Sequence, residues 1–146
     1  MRDPAIIVKD LLEAAGVGQF AVTSGWCLCL GDPPDVPDSV VLVNQTGGLN
    51  PYPHLLINQP SVQVIVRGAR NGYPAAREKI DEAIRTLLGI YTYVDPVSGD
   101  IYRSCIQLGD VAYLGRDDNT RTMFSANFRF IVEPVEAAGS HRIAIT

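Results

Sequence analysis

Histidine, cysteine and lysine are all scarce in this 146-residue chain. The two histidines are His54, in a proline-rich stretch, and His141, near the C-terminal end. Neither lies in a local signature with a serine or a cysteine. The nucleophile, base and orienting group of covalent catalysis therefore have no visible carrier. The three cysteines are Cys27, Cys29 and Cys105. Their odd number argues against a disulfide framework. In a strand Cys27 and Cys29 share one face, and no second pair completes a zinc site. Packing as small apolar side chains is the expectation. Asp3, Lys9, Asp10 and Glu13 interrupt the opening MRDPAIIVKDLLEAAG, which is not expected to be a signal peptide. No apolar run approaches the 18 or more residues of a membrane-spanning helix. The chain reads as a soluble protein made in a reducing cytosol.

Phosphate loops and acidic metal loops are missing as well. Gly47-Gly48 and Gly68 form neither a GxxxxGK[ST] nor a GxGxxG pattern. Pro74 removes one amide from the helix start that follows Arg67-Gly68, which weakens an anion site there. Asp117-Asp118 lacks the spaced oxygen ligands of a calcium loop and fits a hairpin turn. Glu78 and Glu82 fall on a solvated helix face. No enzyme activity, cofactor or metal is expected. The formal net charge is −4, so the phosphate-neutralising surface of a nucleic-acid binder is not expected either.

What is present is arginine. Only Lys9 and Lys79 are lysines among 12 basic residues. A GC-rich genome would give such a bias, and so would selection for planar, bidentate pairing. Arg67 ends an alternating stretch, QPSVQVIVRG. Arg116 and Arg121 flank GRDDNT, and Arg129 lies on the non-aromatic face of RTMFSANFRFIVEP. Cations fixed by strand geometry suit contacts with carboxylates of another chain. Arg67 is expected to face a neighbour at the sheet rim, with Gly68 turning the backbone away before the next helix.

The expected elements begin with a helix opened by Asp3 and Pro4 and ended by Gly16 and Gly18. Strands follow at 25–30, at 40–45 and at 61–67. A turn-rich loop, GDPPDVPD, occupies 31–38. VVLVNQ reads as a strand covered on both faces. TGGLNPYPHLLINQP, 46–60, reads as a long irregular loop of the kind used for docking. A second helix spans 74–89, with Ala76, Ile80, Ala83, Ile84, Leu87 and Leu88 as its buried stripe. Strands at 101–114 and 121–134 flank the polar turn 115–120. The expected fold is α+β, a single domain over 1–134 with a mixed or antiparallel sheet packed by two helices, in the order α-β-β-β-α-β-β. Residues 135–146 read as a C-terminal tail.

These pieces fall in a familiar order. A Gly47-Gly48 loop precedes the run from Pro60 to Gly68, then a tyrosine-led helix from Tyr73 to Gly89. Leu114 to Phe128 follows, as L-G-x-D-D-x-x-R-x-x-F-S-x-N-F. The pattern resembles the minor capsid or tail terminator proteins of long-tailed phages, over roughly residues 4–133. That resemblance implies a small structural protein, not an enzyme, that forms a hexameric ring with copies of itself. Such a ring caps the tail tube protein, stops its growth and presents a surface to head–tail connector or neck proteins. DNA passes through it without specific binding, and the protein belongs to the virion after assembly in the host cytoplasm. The resemblance carries no catalytic signature. Arg67, Arg116, Asp117, Asp118 and Arg121 are the expected subunit or tube contacts. A head-completion protein of the same virion is the alternative role.

Overall fold

The computed structural model describes residues 2–52 and 57–134. Its elements are α1 (Pro4–Ala14), β1 (Gln19–Phe20), β2 (Cys27–Leu30), β3 (Val40–Tyr52), β4 (Ile57–Arg70), α2 (Tyr73–Leu88), β5 (Tyr91–Val94), β6 (Ile101–Arg116) and β7 (Arg121–Glu133). The strands form one seven-stranded sheet in the order β1-β2-β3-β4-β7-β6-β5. The pairs β1–β2 and β2–β3 are parallel, and the other four are antiparallel.

Both helices pack on one face of this sheet. In α1, Asp3 caps the first turn by accepting from the Ala5 amide at 2.9 Å, and Pro4 fits the first helical position. Ile7, Val8 and Leu12 turn inward. In α2, Ala76, Ile80, Ala83 and Leu87 recur at helical spacing and are fully buried. They meet Val62, Val64 and Val66 of β4 and Phe124, Phe128 and Phe130 of β7 in a single core. Gly68 permits this approach. A Cβ built there would lie 3.0 Å from the Ala76 Cβ, so any larger residue would push α2 off the sheet.

The expected α+β arrangement is corrected by this structure. The described residues are mostly β, with 50% in strands of one curled sheet and 21% in helices. The observed order is α-β-β-β-β-α-β-β-β, not α-β-β-β-α-β-β. Two short edge strands account for the changed order. β1 has two residues, both exposed. In β5 only Tyr93 is even half-buried, so neither strand carries the apolar alternation that marks a buried face.

The long irregular loop expected over 46–60 is also corrected. β3 runs on to Tyr52 and β4 begins at Ile57, so the segment is the arm of a hairpin. Gly47 lies opposite Ser61, Gly48 opposite Pro60 and Leu49 opposite Gln59, with register shifts on both sides. Glycine, read as a loop former, is here the residue of a β-bulge. Gly48 has φ +112, and a Cβ there would lie 2.1 Å from the Gln59 carbonyl oxygen. His54, and with it the tip 53–56, lies outside the described residues, as do the 135–146 tail and His141.

Gly48→Ala is therefore expected to destabilise the protein by about 1–3 kcal/mol through backbone strain alone. Gly109 also has a positive φ but meets nothing within 4 Å. Gly109→Ala should lower the urea midpoint less. Equal losses at the two sites would mean that the close approach in the hairpin contributes nothing.

Candidate functional site

The face of the sheet that turns away from the helices is built in cross-strand rows. Val40 lies beside Cys27 and Arg67, and Arg67 beside Met123. In the next row Leu42 lies between Cys29 and Ile65. The following row is neutral and polar, with Asn44, Gln63 and Asn127 side by side. Ser61 and Arg129 pair after it. The Arg129 Nε is buried without a hydrogen-bond partner among the described residues.

Cys27, Cys29, Val40 and Leu42 form a second, smaller core on this face. The continuous apolar run at 40–43 is thus covered on both sides, as its lack of alternation predicts. Burial, with the neighbouring Cys27 adding to it, pushes the Cys29 thiol up to about 11, and burial alone pushes Cys105 up to about 12. Neither is an activated thiolate.

The 31–38 segment lies at this second core and is held by two guanidinium groups. The Arg67 Nε donates to the Asp38 carbonyl at 3.0 Å. Its Nη2 donates to the carbonyls of Pro34 and, at 2.9 Å, Pro37. Arg121 donates through Nη1 to the Asp35 carbonyl at 2.9 Å and lies 3.3 Å from the carboxylates of both Asp35 and Asp38. Its Nε donates to Asp117 at 2.7 Å. The match is chemical. Pro33, Pro34 and Pro37 leave the loop rich in carbonyl acceptors and poor in amide donors, whereas arginine has donors only.

Asp117 organises the β6–β7 turn. One of its carboxylate oxygens accepts from the amides of Asn119 at 3.0 Å and Arg121 at 2.9 Å. Burial opposes its ionisation, but these amides and the Arg121 guanidinium outweigh it and hold the carboxyl below its usual value. Burial and then the nearby Arg121 lower the Arg67 pKa, with Asp117, Cys29 and Asp35 working against them. A guanidinium stays charged even so.

The five residues singled out from the sequence thus divide. Arg67, Asp117 and Arg121 come together, with both guanidiniums 6% exposed or less and used inside the chain. Arg116 and Asp118 are exposed at the hairpin and form no ion pair among the described residues. Sequence reasoning missed Asp35 and Asp38 as the partners. The signal available was the proline count of 31–38, which marks a loop needing outside donors.

Two clefts flank this region. One, of about 380 Å³, is apolar and lies between 20–23, β2 and the 31–38 loop, with Phe20, Val22, Leu30, Pro34 and Val36 in its walls. The other, of about 390 Å³, contains Glu13, Trp26 and Lys79. Lys79 donates to the Val17 carbonyl at 3.0 Å, pairs with Glu82 at 2.9 Å and lies over the Trp26 ring. In the second cleft Glu13 accepts from the Phe20 amide at 2.8 Å and Lys79 is engaged as above. No group of three or more metal-ligating side chains occurs among the described residues. None of the described helices is long and apolar enough to cross a membrane.

A family profile described as bacteriophage tail terminator protein matches residues 11–134. The chain belongs to that family. A comparison with curated proteins finds no match. The terminator match takes in all seven strands and α2, together with the clamp residues Arg67, Asp117 and Arg121 and their loop. Membership makes the protein a structural component of a bacteriophage tail.

Two predictions follow from the clamp of this tail terminator. Arg67→Ala removes three part-buried, charge-assisted hydrogen bonds to loop carbonyls and is expected to cost about 2–3 kcal/mol, read as a lower melting temperature. Arg67→Lys should recover only part of it, because one ammonium cannot reproduce the planar fork. Asp117, with its depressed pKa, contributes stability that is present above the unfolded value of about 3.9 and lost as pH falls through the folded value. Asp117→Asn should therefore be less stable than wild type at pH 7, and the gap should close below about pH 4. A gap in the urea midpoint that is unchanged at pH 3 would show that the Asp117 charge is not what stabilises the turn.

Proposed function

We propose that this chain forms a closed ring, of six copies by the family resemblance, that caps the tail tube, stops its elongation and offers the surface to which the head joins. The observation that carries the reading is the terminator match over residues 11–134. Several features support it. The two edges of the sheet differ, with parallel β1–β2 on one side and antiparallel β5–β6 on the other. A head-to-tail ring needs two different, complementary patches on each chain. The sheet face away from the helices carries the amide row Asn44, Gln63 and Asn127, a lining with no fixed charge of its own. With net charge −4, the ring would hold DNA weakly, as a conduit requires.

In this reading the partners are further copies of the chain, the tail tube protein and a connector or neck protein. Arg116 and Asp118, exposed at the β6–β7 hairpin and without an ion pair among the described residues, are the proposed contacts. Assembly takes place in the host cytoplasm.

The test is the mass and shape of the purified protein, alone and with polymerised tail tubes, by light scattering and negative-stain microscopy. One ring at a tube end, with growth arrested there, is the expected result. A protein that ignores tubes and binds filled heads or portal rings would instead be a neck component of the virion.

A further inference from the structure

We propose that copies of this chain meet with the β5 edge of one seated in the apolar cleft beside β2 of the next. The proposal rests on the ring reading and names its interface.

Tyr91, at the start of β5, is 87% exposed, more than any other large apolar side chain among the described residues. Val94, three residues further on, is 51% exposed, and Leu88 at the end of α2 is 44% exposed. Arg85 lies one turn before Leu88 on the same side of the helix and makes no ion pair among the described residues. The segment from Arg85 to Val94 thus exposes a tyrosine, two aliphatic side chains and a cation with no ion pair among the described residues. Tyrosine and arginine are the residue types that most often anchor protein interfaces.

The cleft has the opposite character. Its volume of about 380 Å³ lies within the usual range for a binding site. Phe20 and Val36 stand at it, 44% and 68% exposed, so the apolar lining opens outward. Its proline-rich wall is acidic on the outside. Asp32 is exposed, and the Asp35 side chain is 82% exposed even while it meets Arg121. An apolar tongue carrying an arginine is the complement of an apolar slot with aspartates on its wall.

A second copy is favoured as the occupant because of the sheet order. β1 and β2 stand at one end and β5 at the other, so a molecule cannot fill its own cleft with its own β5. Tongue and slot at opposite edges form a heterologous contact, which repeats from copy to copy and closes when the rotation per step allows. The two guanidiniums add rigidity to the slot, since Arg67 and Arg121 hold the wall that contains Pro34 and Val36.

The test uses the full-length chain with polymerised tail tubes of the same virion. Tyr91→Asp, at a site too exposed to affect folding, should cut tube capping at least about tenfold with an unchanged melting temperature. In a background with Cys27, Cys29 and Cys105 replaced by alanine, needed because Cys27 and Cys29 line the same cleft, a protein carrying both Tyr91→Cys and Val36→Cys, oxidised on tube ends, should give a ladder of linked chains on a denaturing gel. Each single cysteine variant should stay monomeric there. Dimers from Tyr91→Cys alone would indicate a twofold contact and overturn the proposal. Rings of the double variant without a ladder would overturn it too, while leaving the ring intact as a function. Wild-type protein that adds no ring to tubes would remove the ring reading and this interface together.

Discussion

Val62, Val64 and Val66 on β4 lie opposite Phe128, Ala126 and Phe124 on β7, and this one register decides what each face of the sheet meets. Because side chains alternate along a strand, the same pairing that sends these six residues to the helices sends Gln63, Arg67, Asn127 and Arg129 to the other face. A slip of one position would put arginine under α2 and phenylalanine under the 31–38 loop. The identity of both faces therefore follows from the central pair of strands. The edge strands matter less to stability, which leaves them available for contacts with other molecules.

Two different solutions cover the two faces. On one side, helices bury a large apolar core, in which the Tyr102 hydroxyl is buried without a hydrogen-bond partner among the described residues. On the other, Val22 and Ile65 pack against Cys27, Cys29, Val40 and Leu42, and a short proline-rich loop shares a cleft with the two cysteines. Such a loop has little apolar surface to contribute, and its prolines cannot donate hydrogen bonds. It is held instead by charge-assisted bonds from Arg67 and Arg121, which are stronger than neutral ones. Burying two cations side by side is costly, and Asp35, Asp38 and Asp117 around Arg121 offset it. Removing either arginine leaves acceptors without donors, so the clamp is specific as well as stabilising.

Much of this was legible in the sequence wherever a pattern was long. The α1 start, most of the α2 stripe and the alternation of 121–133 are placed as read, whereas Leu88, expected in the buried stripe, is exposed and Ile84 only partly buried, and the run expected to be covered on both faces over 40–45 is buried only over 40–43. The hairpin arms around 46–60 were not legible, because Gly47, Gly48 and Pro60 carry loop chemistry while sitting at bulges whose partner strand cannot be seen locally. β1 and β5 were not legible because exposed edge strands have no buried face to leave a period. The arginines were recognised as unusual, but a fixed cation in a sequence does not name its partner. Arg67 and Asp38 are 29 residues apart, and Arg121 and Asp35 are 86 apart. Only the fold brings them together.

The arginine accounting also bears on how the net charge should be read. A formal −4 counts all 12 basic residues, yet Arg67 and Arg121 are 6% exposed or less and offer nothing to solvent. Arg103 is committed to Glu133 through two hydrogen bonds of 3.0 Å. Arg2 bridges Asp10 and the buried Asp95, each at 2.9 Å. Asp95 and Asp100 are buried as well, so the exposed surface keeps the acidic balance of the composition, with Arg85 and Arg116 exposed and without an ion pair among the described residues. In a closed ring built from many copies, that arrangement repeats. If the chain closes into the proposed ring, an acidic wall would let a polyanion pass, and isolated arginines would be left to pair with the next chain without creating a basic track along which DNA would stick.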